Sequence, residues 1–339
     1  MDTLRTLNDP ELLRAREQHL ERLRALFAGR PLAQPFFLQG VGAWPSVDPY
    51  TEPERWVKEA LAELAAHAEA AKDPVVFRPL CLEFGPYGVH FIDRLFGAHV
   101  YTRAEQWWSQ PLSTPVGALR PPALAGDETW ALARRLAEAF VASGATVPFF
   151  GMPTIASALN VAVNLYGEDF LVALLTRPDA ARHDLAVINR LLCDLHQWYR
   201  AHLPVAQLQA VVAAGRCQPP GHGQLCGCTT HLLSAEVYRE FIAPLDDALL
   251  SVYPHGGMIH LCGVHTQHLP VWREMASLRA VQLNDRAAED LEAYFRGLRE
   301  DQVIYLNPTP TMTVARALAI TGGRRLVLVA EPPAKTECG

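Results

Sequence analysis

The sequence has no surplus of positive charge: 30 Lys and Arg residues stand against 36 Asp and Glu, for a formal net charge of −6. Nothing general draws such a chain to phosphate backbones or anionic lipid, so nucleic acid and membrane surfaces are not expected partners. Long apolar runs are missing too, none reaching the roughly 18 residues a membrane-spanning helix needs. The N-terminus, Met1-Asp2-Thr3-Leu4-Arg5, is charged and amphipathic, which gives a cytoplasmic expectation. Seven cysteines are few for 339 residues. Their odd number and their spacing argue against a disulfide framework and for free thiols or metal ligands. No G-x-G-x-x-G follows the first apolar run, which counts against a dinucleotide-binding fold.

What is present suits a packed core, with 50% hydrophobic and 19% charged residues. Alternating strand and helix can fill this length as one unit, so a single domain over 1–339 is expected. Apolar positions recur at helical spacing over 10–29, with Gly29 as a stop, and predict leading helices within 1–33. Eight short apolar runs read as strands: 35–40, 75–83, 147–151, 208–212, 257–262, 278–285, 302–307 and 325–331. Amphipathic stretches at 54–71, 128–143, 179–202, 234–253, 288–298 and 313–321 separate them, with Ser234 and Thr313 as N-caps. Strand alternating with helix means a parallel sheet. Eight strands apolar on both faces predict an α/β fold of the closed (β/α)8 TIM-barrel type. Residues 84–126, rich in Pro, Gly and aromatics, form a long insertion after the second strand, expected to cover the barrel mouth.

The sharpest local feature is Met258-Ile259-His260-Leu261-Cys262-Gly263 at the end of an apolar strand. Residues i and i+2 of a strand face one side, so the imidazole and the thiol share a space while Leu261 points to the helices. Thiolate plus imidazole is a donor set suited to Zn2+. A third ligand is expected from another strand end, and Glu331, where run 326–330 ends, is the candidate, with Cys338 a softer one near the chain end. A second constellation, His222, Cys226, Cys228 and His231, is read as a loop after the fourth strand. Its spacing fits no common zinc finger, and its glycines suit a loop that approaches substrate. Glu83, Asn284 with Asp285, and Asn307 add a polar ring at strand ends.

Three segments carry a resemblance. Phe149-Phe150-Gly151-Met152-Pro153-Thr154-Ile155 and Leu233-Ser234-Ala235-Glu236-Val237-Tyr238-Arg239-Glu240-Phe241 are similar to segments of the uroporphyrinogen decarboxylase superfamily. His260-Leu261-Cys262-Gly263 resembles the zinc motif of its corrinoid-linked, coenzyme M-type methyltransferase branch. The resemblance implies a TIM barrel and a zinc-dependent methyl transferase. Zinc would be held by His260, Cys262 and, where those enzymes carry a cysteine, Glu331. A small-molecule thiol would be activated to attack a methyl donor such as a methylated corrinoid, on its own or on a corrinoid protein. Asp285 and Glu83 are then the catalytic candidates, and Asn307, His222, Tyr87 and His90 the substrate contacts, with Trp107 and Trp108 closing the mouth. True decarboxylases of this superfamily grip several carboxylates with an arginine-rich segment, and Arg30 alone is a poor clamp. The alternatives are a metal-free decarboxylase of a small or tetrapyrrole carboxylate using Glu83 or Asp285, and a non-catalytic metal- or corrinoid-binding protein.

Overall fold

A computed structural model describes residues 2–153, 156–210 and 214–332. Its strands are β1 (Phe36–Leu38), β2 (Val76–Phe77), β3 (Cys81–Glu83), β4 (Val100–Arg103), β5 (Gln106–Ser109), β6 (Phe149–Gly151), β7 (Leu208–Gln209), β8 (Gly223–Cys226), β9 (Gly257–Leu261), β10 (Leu278–Leu283), β11 (Val303–Leu306) and β12 (Leu326–Leu328). Seven form a parallel sheet in the order β2-β1-β12-β11-β10-β9-β8, and β3-β6-β7 form a second parallel sheet. Single parallel bridges, Val41 with Leu80 and Ala156 with Cys226, link the segments after β1 and β6 to the start of β3 and the end of β8. One continuous eight-stranded ladder, as expected from the sequence, is not what is found.

Two departures have local causes. The expected strand 75–83 breaks after Phe77, because Pro79 lacks a ladder N–H and Arg78 turns out to bond Asp73 and Glu331. The expected strand 208–212 is only Leu208–Gln209, with 211–213 outside the described residues, while Gly223–Cys226, expected as loop, is a strand. Among the helices, Glu128–Ser143 and Val314–Thr321 form as expected, the second capped by Thr313 Oγ1. The 234–253 helix is interrupted: Pro244 cannot extend the backbone ladder, and the chain widens through a π turn at Tyr238–Ile242 before Ala243–Leu250. Helices Ala158–Tyr166 and Glu168–Thr176 were not anticipated.

Strand alternation sorts the core. Residues on one face of the strands, such as Phe36, Met258, Ala280, Tyr305 and Val327, join Leu20, Leu23, Leu26 and Phe27 of the Pro10–Phe27 helix in one apolar cluster. Their neighbours Phe37, Ile259, Leu261, Val281, Leu306 and Leu328 belong to the larger cluster formed with the helices. Burial of each such side chain is worth ~1.5–3 kcal/mol. The leading helix therefore seals the inner cluster, and Arg16 bonds the Thr146 and Val147 carbonyls at 2.9 and 2.7 Å to hold it there. At the starts of β8 and β9 the backbones touch: a Cβ on Gly257 would lie 2.2 Å from the Gly223 carbonyl oxygen. No single helix among the described residues is long and apolar enough to cross a membrane.

Candidate metal centre

The donors arise from register. Cys226 at the end of β8 pairs with His260 on β9, and His260 pairs with Gln282 on β10, so the three side chains stand in one row. Strand period places Cys262 on the same side as His260, and its Sγ lies 3.0 Å from His260 Nε2. Cys228 opens the 3-10 turn Cys228–Leu232, and its thiol meets Cys262 Sγ at 3.1 Å. One donor atom from each of Cys226, Cys228 and His260 lies within 4.8 Å of the others. Cys262 thus touches two members of that group.

The electrostatics follow from crowding. A hydrogen bond from the Cys228 thiol, ahead of the effect of His260, holds Cys226 and Cys262 below the ordinary thiol range. Cys228 is pushed far up by the same two bonds, because it holds the proton among three sulfurs. A divalent cation does the work of that proton with greater charge, and soft thiolates with an imidazole are the set zinc prefers. A tetrahedron of donors ~2.0–2.3 Å from an ion has edges of roughly 3.3–3.8 Å, which these separations approach. The residues fit the group.

The surrounding residues fix the donors. Ser157 caps the helix Ala158–Tyr166 and donates to Asn160 Oδ1 at 2.8 Å, leaving the Asn160 amide to donate to Cys226 Sγ at 3.8 Å. Thr230 donates to the Gly227 carbonyl at 2.8 Å, so it accepts from His265 Nδ1 at 3.0 Å. His265 Nε2 then accepts from the Gly263 N–H at 3.3 Å. That clasp ties the loop of Cys228 to the loop of Cys262 and needs a neutral imidazole, which burial supports by pulling His265 down to about 3. Burial pulls the partly buried Arg216 below the ordinary guanidinium range, against the pull of Cys226, Cys228, Cys262 and Glu83, which favour its charge.

The other sequence candidates are not among the three grouped donors. Glu331 is about half exposed, pairs with Arg78 at 2.6 Å and is not part of the donor group. Cys338 lies outside the described residues. His222 sits at the start of β8, opposite to Cys226, bonded to the Pro219 carbonyl at 2.9 Å and edge-on to Phe27. Glu83 is buried at the end of β3, whereas Asp285 is exposed with φ 46°. Asn307 accepts from Gln282 Nε2 at 2.5 Å. In 84–126, Tyr87 packs on Tyr50 and Trp107, and His90 Nδ1 bonds the buried Asp93 carboxylate at 2.6 Å. The hairpin β4–β5 carries Trp107 and Trp108.

Sequence reasoning kept Cys226 and Cys228 apart from His260 because it read 223–226 as loop. The alternation Gln224, Cys226, Cys228 around buried Leu225 was the available signal. Gln282 was missed because a glutamine inside a strand carries no motif.

No protein-family profile matches the sequence, and no curated protein does. Solved structures do match the fold, among them a methyltransferase from Methanosarcina mazei, 12% identical, with a TM-score of 0.64 over 92% of this chain and 92% of that one. At that identity the likeness is one of fold: this chain shares the α/β architecture of that methyltransferase along nearly its whole length.

Proposed function

We propose that the chain is a zinc-dependent methyl or alkyl transferase, with the ion held by His260, Cys226 and Cys228 and with Cys262 bonded to two of them. The observation that carries this reading is the convergence of three thiols and one imidazole at the C-terminal ends of neighbouring parallel strands. In TIM-barrel enzymes that end of the strands carries the chemistry, and the reading takes the two sheets as such a barrel with 84–126 over its mouth. The fold shared with a methyltransferase adds support. Zinc bound here would lower the pKa of a substrate thiol so that it is a thiolate at neutral pH.

The chain's own residues supply the rest. Asn160 and Arg216 offset negative charge on the sulfurs, and the Thr230–His265–Gly263 clasp fixes the distance between the two cysteine loops. Glu83 and Asn307 line the same ends of the strands and would meet substrate polar groups. The thiolate's partner would be a methyl group on a donor such as a methylated corrinoid. Glu331 is not needed as third ligand in this reading, since the β8 cysteines fill that place.

A second reading, a metal-holding protein without turnover, draws on the fourth donor: Cys262 leaves no open position if all four donors bind at once. The experiment measures zinc per chain in protein purified without added metal, then methyl transfer from methylcobalamin to simple thiols followed by its absorbance. Stoichiometric zinc with turnover supports the transferase. Zinc without turnover favours the second reading, and absence of zinc sinks both.

A further inference from the structure

Gln282 is buried, 3% exposed, on a strand whose neighbouring inward residue Ala280 is apolar. An amide in that position costs free energy unless both of its ends are bonded. Here both are. Its Oε1 meets His260 Nδ1, and its Nε2 donates to Asn307 Oδ1 at 2.5 Å. Asn307 is itself pinned, its backbone N–H donating to the Leu283 carbonyl at 3.0 Å.

The order of donors along this chain of groups has one consequence for the imidazole. Because Asn307 Oδ1 takes the amide hydrogen of Gln282, the oxygen of Gln282 is what faces His260, and it can only accept. His260 Nδ1 must therefore carry a proton, which makes Nε2, 3.0 Å from Cys262 Sγ, the ring nitrogen that can bind an ion. A carboxylate in the same place would also accept, but it would favour imidazolium and add negative charge to a site already crowded with sulfur. The neutral amide orients the ring without doing either.

We propose that Gln282, held by Asn307, is the positioning residue that fixes the tautomer and plane of His260 and so presents Nε2 as a metal donor. This rests on the metal-centre reading above for its purpose, though not for its geometry. Bonding partners behind a ligating histidine typically contribute 10–100-fold in metal affinity.

The test compares the parent with Gln282→Met, which keeps length and removes both bonds, Gln282→Glu, which keeps the acceptor, and Asn307→Ala, which frees the far end. Zinc affinity is read by competition with a chromophoric chelator, and the ring nitrogens of His260 are read by 15N NMR in metal-free protein. In the parent, Nδ1 is expected protonated. Gln282→Met is expected to mix the tautomers and weaken zinc ~10–100-fold. Gln282→Glu is expected to retain the Nδ1–H signature, and Asn307→Ala to shift both readouts in the same direction but less. Unchanged nitrogen signals and unchanged affinity in a folded Gln282→Met protein overturn the proposal. If Gln282→Met does not fold, Asn307→Ala carries the same decision. If the parent binds no zinc, the proposed function fails while the tautomer readout still decides the role of Gln282.

Discussion

Met258 and His260 lie two residues apart on one face of β9, yet they meet different surroundings. Met258 is sealed among apolar side chains that include the leading helix, while His260 meets an amide and sulfur. The same contrast runs along β10, from Ala280 to Gln282. The near end of the strands is built for cohesion and the far end for chemistry, so damage at one end should leave the other legible.

Removing a donor tests the far end most severely. Structural zinc in small sites is worth ~10–16 kcal/mol over about four ligands, so His260→Ala should weaken zinc on the order of 100- to 1,000-fold. The chelator titration should show this, while the metal-free protein loses only ~1–3 kcal/mol because Gln282 Oε1 is left without its partner. At the near end, Met258→Ala should cost ~2–5 kcal/mol in denaturant unfolding and leave zinc affinity within a few-fold. A mutant that lost metal as readily as stability would erase the comparison.

Acid should act on the scaffold through buried histidines. Burial holds His196 down at about 3, with its Nδ1 bonded to Tyr253 at 2.9 Å. The unfolded chain takes a proton near pH 6.5 that the folded chain refuses, so this contribution is whole above pH ~6.5 and declines as pH falls toward 3. The slope for one such group approaches ~1.4 kcal/mol per pH unit, and His196→Gln should flatten the stability profile measured between pH 6.5 and 4. The smallest effect is expected from Glu331→Gln. It removes a half-exposed ion pair with Arg78, worth ~0.2–1 kcal/mol, and should leave zinc binding within about twofold. A tenfold loss of metal there would bring Glu331 back as a ligand.

The legible parts of this fold were those that local pattern controls. The helix Glu128–Ser143 and the caps at Ser234 and Thr313 follow from spacing and side-chain chemistry a few residues apart. The shared face of His260 and Cys262 follows from strand period. Cys226 beside His260 does not, because register between two strands is a tertiary fact with no trace in either segment alone. Gly223 also carries weak strand preference, and the glycines around it read as loop. The π turn before Pro244 shows the reverse case, a cause visible in the sequence whose form only the packed helix reveals.

The contact between Gly223 and Gly257 has a further consequence. With no side chain between them, the two backbones meet at a separation nothing flexible can absorb, and Cys226 and His260 each follow three residues later. The count of residues from that contact decides which way each donor faces. One extra residue in either strand would swing its sulfur or its nitrogen outward into the helical layer, whereas loops beyond the donors could lengthen freely. The centre is gauged from the floor of the molecule upward, not from its rim.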